Sequence, residues 1–393
     1  MTGHPPGAVA LIDAQAIAHN LRRLRRVLRP AGTRRAPRIW AVAKADAYGH
    51  GLEHALAGLA DADGLGVLTL DDALRCRRLG WKRPILAMGA DFTLADLRDP
   101  ALYPLHVVID RPEQLAGLAG LPPPRMPHVW LRHCGALNHA GLQAGEYRAA
   151  FRSLHAELEA GRLAGLGHLQ HYAGAEDPEQ LPRERRAFHE LISGMPGPLC
   201  TENSAAVLSD PASACLTDWV RCGIALYGIS PLRGLTGRAL GLRPAMALQA
   251  PLYATQAVRA GQGVGYHGGF RAERDMRIGL VRCGYADGYP RTVQGPCQAG
   301  VQGRMAAIVG RVSMDTLAVD LSAHPDAGPG DAVTLWGPGG PEVESVAGWA
   351  GTISAHLCVG LTARVPRILR PEAQEPSRPV AGATRKKARV ASK

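Results

Sequence analysis

No stretch of the 393-residue chain approaches 18 consecutive uncharged apolar residues, so no membrane-spanning helix is expected. The start, MTGHPPGAVALIDAQ, has no charged segment followed by an apolar one, and so no secretory signal is expected either. Eight cysteines are scattered without a C-x-x-C pair or a short secreted framework, which points to reduced thiols and no metal centre. These absences together predict a cytoplasmic protein with no membrane partner.

Acid is the scarcer charge, with 34 Asp and Glu against 45 Lys and Arg, giving a net +11. The excess is local. Arg22, Arg23, Arg25, Arg26 and Arg29 cluster on a segment of helical spacing, Arg34, Arg35 and Arg38 follow, and residues 371–393 hold six Lys or Arg against two Glu. No aromatic-rich basic motif accompanies these clusters, so they read as solvated faces, and no nucleic-acid partner is expected. At 46% hydrophobic content the chain can bury one large core and one smaller one.

Eight short apolar runs recur in the first 230 residues: RIWAVAK, LGVLTL, PILAMG, LHVVID, HVWLRH, LGHLQHYA, PLCTENS and VRCGIALYG. They show little polar alternation, as strands buried on both faces of a parallel sheet do. Helical spacing fills most gaps, in LEHALAGLA, LDDALRCRRLG, RPEQLAGLAG, GEYRAAFRSLHAELEAG and LPRERRAFHELIS. The alternation predicts an α/β fold, a (β/α)8 TIM barrel over residues 8–235. From residue 236 to 370 the runs are strand-like and bounded by Gly- and Pro-containing turns, which predicts a C-terminal mostly-β domain. Residues 1–12 are candidates for an added strand there, and 371–393 for a disordered basic tail.

Barrel enzymes place their chemistry at the C-terminal ends of the strands. Lys44 ends the first run, Arg132 and His133 the fifth and Glu202, Asn203 and Ser204 the seventh, while His171 lies near the end of the sixth and Arg221 within the eighth. A partly desolvated lysine loses its proton readily and can attack a carbonyl such as the aldehyde of pyridoxal phosphate. Such a cofactor needs an anion site. Backbone amides at Gly223 and Ile224, with the hydroxyls of Ser204 and Tyr48, fall where barrels commonly hold phosphate.

WAVAKADAYGHG resembles the cofactor-lysine motif of the alanine racemases, and HYAGAEDP, ENSAAVL, VRCGIALYG, VRCGYADGYPR, GRVSMD and GTISAHLCVGLTARVPR continue the likeness in the family's order. The resemblance implies a fold type III enzyme using pyridoxal 5'-phosphate to interconvert L- and D-alanine for peptidoglycan precursors, as a homodimer with shared active sites. It further implies Lys44 as the cofactor-bearing residue and one proton-transfer group, and Tyr285 of the other subunit as the opposing base. Tyr48, Ser204, Gly223 and Ile224 would hold the phosphate, Arg221 would face the pyridine nitrogen, and His171 would neighbour the tyrosine. Met314, in RVSMD, matches a partner-subunit position that meets the substrate carboxylate.

The chain departs from this pattern in two places. Where the family has a segment like LKxDTGMNRLG, this chain has LRHCGALNHAG, which puts Arg132 at the usual lysine, Cys134 at the aspartate and His139 at the substrate-binding arginine. Histidine is shorter and cannot make the bidentate fork to a carboxylate. In GTISAHLCVG, Ala355 and His356 replace a tyrosine and a glutamate, which suggests a wider pocket and a looser grip on the cofactor. A racemase of larger amino acids and a cofactor-binding homologue of little activity are the alternatives. The presence of both Lys44 and Tyr285 weighs against the last.

Overall fold

The computed structural model describes residues 7–29, 36–118 and 127–370. The expected disordered tail, 371–393, lies outside them, as do Arg34 and Arg35 of the second basic cluster.

A first strand, β1 (Val9–Ile12), precedes a helix, Ala14–Val27, whose N-terminus is capped by Asp13. The barrel follows as β2 (Arg38–Val42), β3 (Gly64–Val67), β4 (Ile85–Ala87), β5 (Leu105–Ile109), β6 (His128–His133), β7 (Gly165–Gln170), β8 (Leu199–Asn203) and β9 (Trp219–Cys222). Each of the eight apolar runs supplies one strand. All neighbours pair in parallel, and β9 pairs back with β2 to close the cylinder. Alternating residues serve two cores, as the strand period of two requires. Ile39, Ala41, Leu65 and Val107 face the surrounding helices, while Trp40, Leu86, Val108, Trp130, Leu169, Cys200 and Trp219 form a separate interior cluster. One expected helix is different: within RPEQLAGLAG, Pro112–Leu118 forms a 3-10 turn, and Gly117 weakens an α-helix there.

At the N-terminal end of the barrel the filling is aromatic. Trp40 stacks on Trp219 at 4.1 Å, His106 stacks on His128 at 4.5 Å, and the Trp130 indole donates to His106 Nδ1 at 3.0 Å. Burial and the Arg38 guanidinium push the His128 imidazole down to about 4, and burial, His128 and Arg38 push His106 to about 2. Both rings are held neutral.

The second domain contains β10 (Met246–Val258), β11 (Gly263–Val264), β12 (Phe270–Arg271), β13 (Met276–Val281), β14 (Gln298–Val301), β15 (Arg304–Val309), β16 (Leu317–Asp320), β17 (Ala332–Trp336) and β18 (Arg367–Leu369). The long β10 changes register between Leu252 and Ala254, so its first half pairs with β17 and its second half with β13. Through β14, β15 and β16 these pairings close a ring. β1 runs between β10 and β18, so the N-terminal segment is part of this sheet. Two short helices, Val343–Trp349 and Ser354–Val359, accompany it. Among the described residues, no helix is long and apolar enough to cross a membrane.

Candidate active site

A cavity of about 450 Å³ opens at the C-terminal ends of the barrel strands, large enough for a small cofactor and substrate. Lys44, Tyr48, His171 and Arg221 line it, with Ser204, Gly223 and Ile224 at one end and His139 towards the other. Arg132 also lines it, and no Asp or Glu does.

The chain leaves β2 in an unusual way. Ala45, Asp46, Ala47 and Tyr48 all have φ between 53° and 55°, a left-handed turn made without glycine. Left-handed backbone costs roughly 1–2 kcal/mol per such residue, so the surroundings must impose it. The Asp46 carboxylate accepts from Leu52 N at 3.0 Å and pairs with Arg75 at 2.9 Å. Gly49 lies so close to the second domain that a Cβ there would meet the Cys358 carbonyl oxygen at 2.1 Å, and Arg367 Nε donates to the Gly49 carbonyl at 3.1 Å. The turn aims Lys44 and Tyr48 into the cavity together. Lys44 is exposed, but to the cavity, whose protein walls still remove most of its water. That desolvation lowers its pKa, and the Arg132 and Arg221 charges lower it further, so the neutral amine is favoured.

The end of the cavity at Ser204 and Gly223 is closely packed. Gly223 N donates to Ser204 Oγ at 3.0 Å, and a Cβ at Gly223 would collide with the Tyr48 hydroxyl at 2.4 Å. Glycine is required for that close approach. Burial raises the Tyr48 phenol to about 12, so it keeps its proton and can donate. Asn203 caps the short helix that begins at Ser204 by accepting from Ala206 N at 3.0 Å.

Arg221 lines the cavity with both terminal nitrogens already donating. It donates to the carbonyls of Gln170 at 2.7 Å and Thr201 at 3.3 Å, to the Cys200 carbonyl, and weakly to His171 Nδ1 at 3.5 Å. Burial, with the charges of Arg221, Arg132 and Lys44, pushes His171 down to about 3, so this ring is a neutral acceptor and supplies no positive charge. Arg132 is the opposite case. It is half-buried on β6, its Nε is buried with no acceptor, and its guanidinium makes no hydrogen bond or ion pair among the described residues. His139 is exposed, beyond the 3-10 turn Gly135–Leu137.

Tyr285 and Met314 do not join the cavity of the single chain. They sit together on the second domain, where Ala286 N donates to the Met314 carbonyl at 2.9 Å and Tyr285 N to the Ser313 carbonyl at 3.1 Å. Both side chains are exposed, and the Arg291 guanidinium lies 5.9 Å from the Tyr285 ring centre. Ala355 is half-buried on the helix Ser354–Val359 and does not line the cavity. Two groups escaped the sequence reading. Arg291, in GYPR, could have been noticed as a cation six residues after Tyr285, whereas nothing in sequence tied Arg75 to Asp46.

Comparison with known proteins accounts for both halves of the chain. Residues 12–231 match the family model for the alanine racemase N-terminal domain, and residues 245–369 match that for the C-terminal domain. The chain is 41% identical over 368 residues to the alanine racemase of Bordetella avium, covering 92% of this chain and 98% of that one. It is 40% identical over 376 residues to that of Ralstonia nicotianae, covering 92% and 95%. Among solved structures, the biosynthetic alanine racemase of Pseudomonas aeruginosa superposes with a TM-score of 0.83 at 38% identity, over 93% of this chain and all of that one. The alanine racemase of Bartonella henselae, described with covalently bound pyridoxal phosphate, shares the fold at 24% identity and a TM-score of 0.78. Across both its barrel and its C-terminal β domain, the chain belongs to the alanine racemase family.

Proposed function

We propose that the chain interconverts L- and D-alanine in the cytoplasm, supplying D-alanine for peptidoglycan, with pyridoxal 5'-phosphate at Lys44 and a second copy of the chain completing each site. The observation that carries the reading is the convergence of an unpartnered, readily deprotonated lysine with a donor-lined cradle in a cavity that has no carboxylate wall. The residues fit that cofactor. Lys44 Nζ would bear it, the amides of Gly223 and Ile224 with the hydroxyls of Tyr48 and Ser204 would hold its phosphate, and Arg221 would face its ring nitrogen. When bound, the cofactor supplies an electron-withdrawing ring that makes the substrate α-proton acidic.

Racemisation removes a proton from one face of the α-carbon and returns one to the other. Lys44 Nζ serves one face. Tyr285 Oη of a second copy serves the opposite face, and Met314 of that copy lies on the substrate side. Their shared, outward-facing position on one chain supports this division, in which residues 8–235 hold the cofactor and residues 236–370 present Tyr285 and Met314. An arginine donates without giving up its proton, so Arg221 would face the ring nitrogen without protonating it. His139 stands on the substrate side of the same cavity. Incubating the protein with L-alanine and pyridoxal phosphate, then resolving the enantiomers by chiral chromatography, should yield D-alanine. Absence of D-alanine with an intact cofactor absorbance would sink the assignment.

A further inference from the structure

We propose that Arg132 grips the α-carboxylate of the amino-acid substrate, taking a role for which His139 is poorly suited. The proposal rests on the reading of the site given above. Two anionic groups must be held there, a phosphate and a substrate carboxylate. The phosphate has its cradle at Ser204, Gly223 and Tyr48. For the carboxylate, the cavity offers three cationic side chains, and two are committed. Lys44 is the amine that bears the cofactor, and Arg221 spends its donors on the carbonyls of Gln170, Cys200 and Thr201.

Arg132 spends none. A half-buried guanidinium with idle donors, facing a second arginine and a lysine across a cavity without Asp or Glu, is unfavourable unless an anionic guest completes it. Asp110 lies near enough to offset part of its charge but forms no ion pair with it, being placed instead against Arg111 at 3.4 Å. Arg132 is therefore a planar, permanently charged fork whose geometry matches a carboxylate. It also lines the same cavity as Lys44 and bears on that amine more strongly than Arg221 does. His139, by contrast, is exposed, and an imidazole cannot offer two parallel donors to one carboxylate.

The test titrates propionate, the carboxylate with alanine's carbon skeleton and no amine, into the pyridoxal-phosphate-loaded protein by calorimetry. Arg132→Met should weaken propionate about 10-fold or more, Arg132→Lys should fall between, and His139→Ala should stay within about twofold. Arg132→Met should also raise KM for L-alanine by a larger factor than it lowers kcat. The proposal is overturned if Arg132→Met binds propionate as the unaltered chain does, if the loss instead follows His139→Ala, or if the unaltered chain does not bind propionate. It is equally overturned if Arg132→Met loses only the cofactor, seen as loss of the borohydride-reduced Lys44 adduct by mass spectrometry. Failure of the unaltered chain to form that adduct would refute the proposed function separately, and propionate titration of the cofactor-free chain would still decide the role of Arg132. Because Arg132→Lys keeps the charge and most of the packing, it reports on the fork even if the methionine variant folds poorly.

Discussion

At the N-terminal end of the barrel, two histidines and three tryptophans stack into a plug, the histidines held neutral by burial and by Arg38. At the opposite end, two arginines and a lysine face a cavity, and one of the arginines has no side-chain partner among the described residues. Both ends desolvate their polar groups, but the closed end answers by discharging them and the open end by leaving charge in place. The closed end gains stability from packing. The open end leaves its charge unbalanced, a state tolerable only where a guest supplies the missing anions.

Several substitutions should break or sharpen that contrast. The largest effect belongs to the open end: Lys44→Ala should cut racemisation by ~10³-fold or more without loss of thermal stability, measured by chiral chromatography and calorimetric scanning. At the closed end, Trp130→Ala should destabilise by ~3–5 kcal/mol in urea titration, through a cavity and an unpaired His106. Equal stability losses from both substitutions would erase the distinction between the ends. Gly223→Ala should weaken pyridoxal-phosphate retention by ~10-fold, since its Cβ would displace the Tyr48 hydroxyl, and the readout is cofactor absorbance after dialysis.

The pH dependence follows from the closed end's histidines. Their folded pKa values, about 4 for His128 and about 2 for His106, lie below the unfolded value near 6.5. Their neutral packing therefore contributes fully above pH 6.5, and the contribution is lost as pH falls from there towards 4. Urea stability should drop across that window, and His128→Asn should flatten the drop. An unchanged slope would show that the histidine pair carries no linkage. The smallest effect is expected for Arg75→Ala, at ~0.5–1 kcal/mol, because its pairs with Asp46 and Glu53 are largely exposed. A slower cofactor uptake in the same variant would show that the pairs also help hold the lysine turn.

Much of this was legible in the sequence because the barrel's grammar is local. Eight unalternating runs became eight strands, and because a closed barrel gathers strand ends onto one rim, Lys44, Arg132, His171, Asn203, Ser204 and Arg221 line one cavity. His133 instead bonds Gln170, and Glu202 pairs with Arg185, outside its lining. Local signals also misled. RPEQLAGLAG has helical spacing, but its Pro112–Leu118 portion folds as a 3-10 turn, since spacing alone does not overcome a glycine in so short a segment. The turn after Lys44 was illegible for a stronger reason. Ala45 and Ala47 are good right-handed helix formers, yet both stand left-handed just before Gly49, which packs against the second domain, distant in sequence. The state of Arg132 was equally hidden, because a residue's lack of partners is a property of everything around it.

The close fit of Gly49 against Cys358 has a consequence for how such a protein can be divided. The end of the lysine turn packs against another domain, with Arg367 tying the Gly49 carbonyl to β18. The barrel is thus not a self-sufficient module. A descendant that shed residues 236–370 would keep all eight strands and most of the phosphate cradle, but it would release the backbone that aims its lysine. Gene fission at this boundary would have to be accompanied by a rebuilt turn, so the two domains are expected to be inherited together.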